Sequence, residues 1–318
     1  MIKCKILRCK IVNFKYKYLC KLMFIKFGKR LFVRSNYRNY STINSKMSSG
    51  ENTGIKLNDV ISALEKFAPK QLSESWDNTG LLTEPYTPRN VTKILLTNDM
   101  TEDVAMEAKD KGCEMIISYH PPIFAPLKSV IQSAWKERIV SLLLEARISL
   151  YSPHTSWDSA KGGVNDWLAS VFPFNNSVPI IPGEDPETGA GRFLFINTSF
   201  DIQQAVTNVK NLTGLNHVRL AIGKGKTTTH NVGSIALCAG SGGSVLKKAP
   251  SADLFLTGEM LHHDILDATQ KGISVILTNH SDSERGFLQG FSSYLQCELN
   301  DQAAVIVSEC DKDPLLTV

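Results

Sequence analysis

The sequence predicts an α/β protein made of two related halves, each with a mostly parallel sheet. Short buried strands alternate with amphipathic helices from residue 91 onward, and the alternation resumes after a proline-rich stretch at 173–191. Such βαβ runs place parallel strands in one sheet with helices on its faces. Because ligands of these sheets collect beyond the carboxyl ends of the strands, we expect a functional site there.

Length and composition are those of an ordinary globular protein. The chain has 318 residues, of which 42% are hydrophobic and 21% charged, enough for one large or two medium domains. It has no run of 18 or more uncharged apolar residues, so we expect no membrane span. Its seven cysteines lack paired short spacings, which argues against a disulfide framework and a zinc finger and favours a reducing compartment.

The first 46 residues differ from the rest in charge. They hold 13 Lys and Arg and no acid, whereas the remaining chain has 22 basic and 31 acidic residues. The basic excess therefore belongs to a leader, and we expect no direct nucleic-acid binding. Residues 1–46 resemble a mitochondrial presequence; the alternative is a basic tail without an address. We expect the full-length chain in mitochondria and a form that starts at Met47 in the cytoplasm or nucleus.

After a linker at 47–54, the first predicted half covers 55–175. Apolar residues recur at helical spacing from Leu57 to Phe67, and Pro69 ends that helix. Strands are expected at 94–97, 115–117 and 148–150, and further helices at 101–111, 134–145 and 164–170.

A second linker at 176–191 leads to the second predicted half, 192–318. Strands are expected at 193–196, 218–222, 232–237, 254–256, 275–278 and 303–307, and helices at 202–212, 242–248, 260–271 and from about 283 to 296. The two halves have similar size and the same element types, although no sequence repeat relates them.

Histidines and carboxylates follow three of the predicted strands. His120 follows the strand at 115–117, His154 and Asp158 follow 148–150, and His280 and Glu284 follow 275–278. Imidazole and carboxylate ligands suit a borderline divalent metal such as zinc, manganese or iron. Such a site would activate water, because it combines neutral nitrogens with charge-balancing carboxylates.

Each of these positions also has a purely structural interpretation. His120 precedes two prolines and would then be a loop residue, and Asp158 would cap the helix that follows. Ser281 and Glu284 have the spacing of a capping box, in which both side chains satisfy free amides at a helix start.

Two other stretches at strand ends are candidates for supporting roles. Gly240, Gly242 and Gly243 follow a strand and open a helix, so their amides could hold an anion such as phosphate, although tight backbone packing is the favoured interpretation. Glu259 ends another strand and is a candidate general acid or base, or a group that orients a metal ligand.

Five motifs occur in an order that resembles the Nif-three-like family (NGG-interacting factor three; some bacterial members are labelled GTP cyclohydrolase I type 2 homologs). They are ESWDNTGL, SYHPPIF, SPHTSWDSAKGG, TGEMLHHD and TNHSDSERGF. The resemblance implies two α/β halves around a dinuclear metal site, in a homo-oligomer. By position, the family's metal ligands correspond to His120, Asp158, His280 and Glu284. Many members have two consecutive histidines where this chain has Tyr119 and His120, so Tyr119 or His154 would have to compensate at a second metal.

Two functions are compatible with these residues. In the first, one or two divalent metals per chain support hydrolysis of a small phosphorylated or nucleotide-like substrate, with Glu284 or Glu259 moving protons. In the second, the protein is a non-enzymatic oligomeric binding or regulatory protein with a transcription-related protein partner, and its metal is structural.

Overall fold

The computed structural model describes residues 54–316. The predicted leader, and all of the following linker except Gly54, lie outside the described residues. By internal contacts, residues 51–318 form one compact unit. The α-helices are α1 Leu57–Phe67, α2 Glu102–Asp110, α3 Trp135–Ala146, α4 Thr155–Ser159, α5 Val164–Ala169, α6 Ile202–Thr213, α7 Gly243–Leu246, α8 His262–Gln270 and α9 Phe287–Glu298.

The described strands form two large sheets and one small hairpin. They are β1 Gly80–Thr83, β2 Lys93–Thr97, β3 Met115–Ser118, β4 Ser149–Ser152, β5 Phe174–Val178, β6 Ile181–Pro182, β7 Gly189–Ala190, β8 Arg192–Ile196, β9 Arg219–Ala221, β10 Ser234–Cys238, β11 Leu254–Thr257, β12 Ser274–Leu277 and β13 Ala304–Val307. Short 3₁₀ turns occupy Lys70–Leu72 and Ser281–Ser283. Among residues 54–316, no helix is both long and apolar enough to cross a bilayer.

The first sheet has the order β1-β4-β3-β2-β13 and is parallel except where β1 meets β4. Its last member is the C-terminal strand, which returns to pair with β2 and sets Val305 opposite Ile94. The predicted second half, 192–318, therefore does not coincide with the second sheet. The apolar sequence of a strand such as β13 predicts that the strand is buried, but it does not predict which strand pairs with it.

The second sheet has the order β5-β8-β10-β11-β12-β9 and is mixed. Only β10, β11 and β12 run parallel, whereas β5, β8 and β9 pair antiparallel with their neighbours. The prediction of mostly parallel sheets is wrong for this one. Antiparallel neighbours need no helical crossover, so the alternation of strands and helices does not reveal them.

The predicted linker at 176–191 also contains strands. It holds the end of β5 and the two-stranded hairpin of β6 and β7. Strand β5 lies at a sheet edge, and most of its residues are exposed. Its sequence, Phe-Asn-Asn-Ser-Val, therefore lacks the apolar run that marks a buried strand.

A central hydrophobic cluster joins the two sheets. Ile94 and Leu96 of β2 belong to it together with residues of β8, β10, β11 and β12, whereas Leu95 faces a separate cluster with α2 and α3. This alternation follows from the two-residue period of a strand. Because both sheets bury one face in the same cluster, the carboxyl ends of β3 and β12 come close together, and the candidate site is at these ends.

Candidate metal centre

Three predicted ligands come together at the ends of β3 and β12. One ligand atom each from His120, His280 and Glu284 lies within 4.8 Å of the others. The Nε2 atoms of His120 and His280 are each 3.4 Å from a different oxygen of the Glu284 carboxylate. The ring centroids of the two histidines are 5.1 Å apart.

The backbone of His120 is fixed by the strand that precedes it. The amide of His120 donates to the Asn98 carbonyl at 3.0 Å, which prolongs the pairing of β3 with β2 beyond Ser118. The Ser118 hydroxyl donates to the His120 carbonyl at 2.7 Å. Two prolines follow, so the chain leaves the sheet directly after this histidine.

A tight turn after β12 brings Glu284 back onto His280. Asn279 has φ +75°, and the 3₁₀ turn Ser281–Ser283 follows. Gly240 gives this turn its space: it has φ +62°, and a Cβ on it would lie 2.4 Å from the Glu284 Oε1 atom. Any larger residue at position 240 would therefore displace the carboxylate.

Carboxylates orient both imidazoles. The Nδ1 atom of His120 lies 2.8 Å from Asp99 Oδ1, and that of His280 lies 3.1 Å from Glu259 Oε2. Each carboxylate is a hydrogen-bond acceptor, which places the proton of a neutral imidazole on Nδ1 and leaves the lone pair on Nε2. Both lone pairs are thus available on the side where Glu284 lies.

The Glu284 carboxyl is buried, with 3% of its side chain exposed. Burial, and next the charge of Asp158, hold the pKa of Glu284 well above its usual range. Asn98 donates from Nδ2 to Glu284 Oε2 at 3.1 Å, while the buried Oδ1 atom of Asn98 has no hydrogen-bond partner. A cation would neutralise the carboxylate, so these residues fit a divalent metal held by two nitrogens and an oxygen.

Asp158, a predicted metal ligand, lies nearby but has another partner. Its Oδ1 atom accepts a hydrogen bond from the Tyr119 hydroxyl at 2.6 Å. Burial raises the pKa of Tyr119 well above its usual range, and it also raises the pKa of Asp158. The phenol therefore stays neutral and occupies an oxygen of Asp158.

His154, also predicted as a ligand, is held by Asp77. Its Nδ1 atom lies 2.7 Å from Asp77 Oδ1, and its ring centroid is 5.4 Å from that of His120. Burial would raise the pKa of Asp77, but hydrogen bonds from His154 and Thr155 outweigh it and lower the pKa. His154 adopts φ +37°, a strained backbone that turns it away from the line of β4.

These contacts decide between the alternatives that the sequence left open at two places. Glu284 binds Asn98 and approaches the two histidines, while the Ser281 hydroxyl donates to Asp313, so the two residues do not form a capping box. The amides of Gly240 and Gly242 donate to the hydroxyls of Ser283 and Thr257.

These two amides are thus already used within the protein. A Cβ on Gly242 would lie 2.6 Å from the Cys238 Cβ, and α7, which Gly243 begins, has only four residues. The contacts favour close packing over anion binding at Gly240, Gly242 and Gly243.

The sequence reasoning missed Asn98 and Asp99. Both directly follow β2 and meet the same criterion that identified His120, a polar residue at the carboxyl end of a buried strand. They were not singled out because Asn and Asp are common turn residues, and neither is a histidine. Asp311 was also not predicted. Its carboxylate accepts hydrogen bonds from the Asn98 and Asp99 amides and forms an ion pair with Arg285.

Comparison with known proteins shows the family. A family model described as Duf34/NIF3 (NGG1p interacting factor 3) matches residues 55–314. The chain belongs to the Duf34/NIF3 family. Among its relatives, "NIF3-like protein 1" of Drosophila melanogaster is 49% identical over 269 residues, which cover 84% of this chain and 90% of that protein.

Other members of the Duf34/NIF3 family are more distant. "NGG1-interacting factor 3" of Saccharomyces cerevisiae is 37% identical, covering 83% of this chain and 97% of its own. The crystal structure of the Staphylococcus aureus protein SA1388 matches with a TM-score of 0.73 at 26% identity, covering 83% of this chain and all of that one. The α/β fold of this chain is therefore the fold of the family.

Proposed function

We propose that this protein binds a divalent metal, zinc, manganese or iron, and hydrolyses a small phosphorylated or nucleotide-like substrate. The observation that carries the proposal is the convergence of His120, His280 and Glu284, with both Nδ1 atoms held by carboxylates. Three protein ligands leave an open position, which is the pattern of catalytic metal sites. A bound divalent metal supplies Lewis-acid chemistry and lowers the pKa of water.

The protein's own residues have separate tasks in this proposal. His120 and His280 present Nε2, and Glu284 supplies charge from a position that Asn98 and Gly240 define. Glu259 is the proposed proton carrier, since its side chain is 49% exposed and, among the described residues, its carboxylate forms a hydrogen bond only with His280 Nδ1. It can exchange protons with solvent without leaving the site.

We further propose that one metal per chain is the resting stoichiometry. A second ion would need Asp158, whose Oδ1 atom is bonded to Tyr119, and His154, whose Nδ1 atom is bonded to Asp77. Tyr119→His would remove the phenol and restore paired histidines, and the metal content of that variant should rise from one toward two per chain.

Metal analysis of protein purified without a chelator or a histidine tag tests the main proposal. We expect about one zinc, manganese or iron per chain in the wild type and little in His280→Ala. The control is His263→Ala, which removes an exposed histidine of α8 and should leave the metal content unchanged. A screen of phosphorylated substrates should then show turnover that His280→Ala lacks; a metal-free wild type would refute the proposal.

The second candidate function is a non-enzymatic oligomeric binding or regulatory protein. Its support is the name of the yeast relative, an NGG1-interacting factor, which suggests a protein partner. Metal content without turnover of any phosphorylated compound in the screen would favour this alternative, with the metal as a structural component. For either function we propose a homo-oligomer, and a monomeric mass by light scattering at micromolar concentration would contradict it.

Mitochondrial targeting by residues 1–46 is also a proposal. It rests on the acid-free, basic composition of this leader. A reporter fused to residues 1–46 should enter mitochondria, whereas a chain that starts at Met47 should stay in the cytoplasm or nucleus. Equal distribution of the two would contradict the proposal.

A further inference from the structure

Two large aromatic side chains are exposed beside the metal centre. Trp76 is 60% exposed and Phe124 is 48% exposed, and their ring centroids are 6.1 Å apart. Both rings contact His154, at centroid distances of 6.1 and 6.5 Å. His154 in turn lies 5.4 Å from His120, so an unbroken series of rings runs from the exposed pair to the proposed metal ligands.

The exposed pair is held in place by polar contacts at its base. Asp77, next to Trp76, accepts hydrogen bonds from the amide and hydroxyl of Thr155 and is bonded to His154. Asn78 donates its side-chain amide to the carbonyl of Ile123, the residue before Phe124. The two segments that carry the rings are thus fastened to each other and to the start of α4.

A fixed, exposed aromatic pair has a cost, because it leaves apolar surface in water that a flexible loop could bury. The planes of the two rings are tilted by 54°, and Trp76 retains a large exposed surface. Such a surface suits a flat ring, since bases stack on tryptophan in a sequence-tolerant way. Two successive ring contacts, of 6.1 Å from Trp76 to His154 and 5.4 Å from His154 to His120, connect the pair to the proposed metal ligands.

We propose that Trp76 and Phe124 form a platform on which the planar heteroaromatic ring of a phosphorylated ligand stacks. This inference rests on the metal-dependent function proposed above and narrows its substrate class to compounds that carry an aromatic base. The base lies on Trp76 with its edge against Phe124, and the phosphate reaches past His154 toward His120.

Calorimetric binding of adenosine 5′-monophosphate, compared with ribose 5-phosphate, tests the platform in the full-length protein. The wild type should bind the nucleotide about 5- to 160-fold more tightly, the range expected for one stacked base. Trp76→Ala should remove most of that difference and Trp76→Phe should keep part of it, while the affinity for ribose 5-phosphate stays the same. The matched control is Trp135→Ala, which removes a tryptophan that is 45% exposed on α3.

The failures of the two proposals give different results. Equal affinity for the nucleotide and ribose 5-phosphate in metal-containing wild type overturns the platform and leaves the metal site standing. If the wild type holds no metal, adenosine replaces the nucleotide as the probe, and binding that Trp76→Ala abolishes supports the platform alone. A Trp76→Ala protein with unchanged nucleotide affinity but an altered oligomeric mass overturns the platform, because the rings would then cover a second copy of the chain.

Discussion

His120 and His280 face the same buried carboxylate but are supported in different ways. On the first-sheet side, the Asp99 carboxylate orients His120. The backbone amides of Asp99 and Asn98 both donate to Asp311. On the second-sheet side, Glu259 orients His280 from an exposed position, and in the described part of the chain its carboxylate has no other hydrogen bond.

This difference shows how a site between two sheets can combine rigidity with access. His120 is the more firmly held of the two histidines, because its partner Asp99 is itself held by Asp311 in a partly buried network. The side chain of His280 is 37% exposed, compared with 22% for His120, so the second-sheet histidine is the one more open to solvent. We therefore expect changes on the first-sheet side to cost more than matched changes on the second.

The largest effect is expected at Glu284, which serves both sides. Glu284→Gln keeps the size of the side chain but removes the charge, and metal affinity should fall by more than about 100-fold, beyond the loss caused by changes to groups that only orient ligands. In metal-free protein the variant should melt at the same or a higher temperature. Burial raises the pKa of this carboxyl, so ionising it at neutral pH destabilises the fold, and Gln has no charge to bury.

Metal titration and thermal melting of the same preparations check both parts. A variant that keeps wild-type metal affinity would exclude Glu284 as a ligand. A variant that loses metal only because it melts at a lower temperature in the metal-free form would show a structural role instead.

The next effect tests how far the first-sheet network extends. Glu107 of α2 accepts hydrogen bonds from Ser308 and the Glu309 and Cys310 amides, directly before Asp311. Burial would raise its pKa, but these bonds and Lys111 outweigh it and lower the pKa from 4.5 to about 2. At about 1.4 kcal/mol per unit, Glu107→Gln should lose about 3 kcal/mol of stability at neutral pH.

The pH dependence of this contribution has a definite sign. A carboxyl with a lowered pKa stabilises the fold fully above its unfolded pKa of 4.5, and the contribution disappears as the pH falls toward about 2. Urea unfolding at pH 7 and pH 3 should therefore show the gap between wild type and Glu107→Gln narrowing in acid. Asp103→Asn, at an exposed position in the first turn of the same helix, is the control and should change little; a constant gap at both pH values would contradict the assignment.

Smaller losses are expected from Asp99→Ala, which removes the carboxylate that orients His120 and that also pairs with Arg285 at 3.6 Å. Metal affinity should fall about 10- to 100-fold, as it does when a carboxylate behind a ligating histidine is removed. Competition with a fluorescent chelator measures this loss, and Asp110→Ala, at an exposed position of α2, is the control. An unchanged affinity would mean that the Nδ1 hydrogen bond of His120 has no role in metal binding.

The sequence predicted which histidines and carboxylates lie near one another better than it predicted their hydrogen-bond partners. His120, His280 and Glu284 could be found because each follows a buried strand, and ligands of α/β sheets collect beyond the carboxyl ends of the strands. His154 and Asp158 met the same rule, but their side chains turn to Asp77 and Tyr119. That outcome depends on the positive φ of His154 and on the phenol of Tyr119, which follows another strand. Neither can be inferred from the spacing of residues in the sequence.

The strands, too, could be predicted only in part from the sequence. Apolar strands such as β2 and β12 were predicted nearly to the residue, because burial on both faces produces a continuous apolar run. The exposed edge strand β5 was missed, and the pairing of β13 with β2 could not be inferred, because it joins segments more than 200 residues apart. The local pattern of apolar residues indicates whether a strand is buried. Which strands pair with each other depends on packing over the whole chain.

The smallest loss of metal affinity is expected at Glu259. This loss tests the comparison between the supports of His120 and His280. Glu259→Ala removes the partner of His280 Nδ1, but the position is half exposed, so water can accept that hydrogen bond instead. Metal affinity should fall less than about 10-fold, and less than in Asp99→Ala measured in the same assay. Turnover should fall further than affinity if Glu259 carries protons, because water orients the imidazole but is a poor substitute for a general acid or base. A loss of affinity equal to or larger than that of Asp99→Ala would reverse the assignment of the rigid and the accessible side.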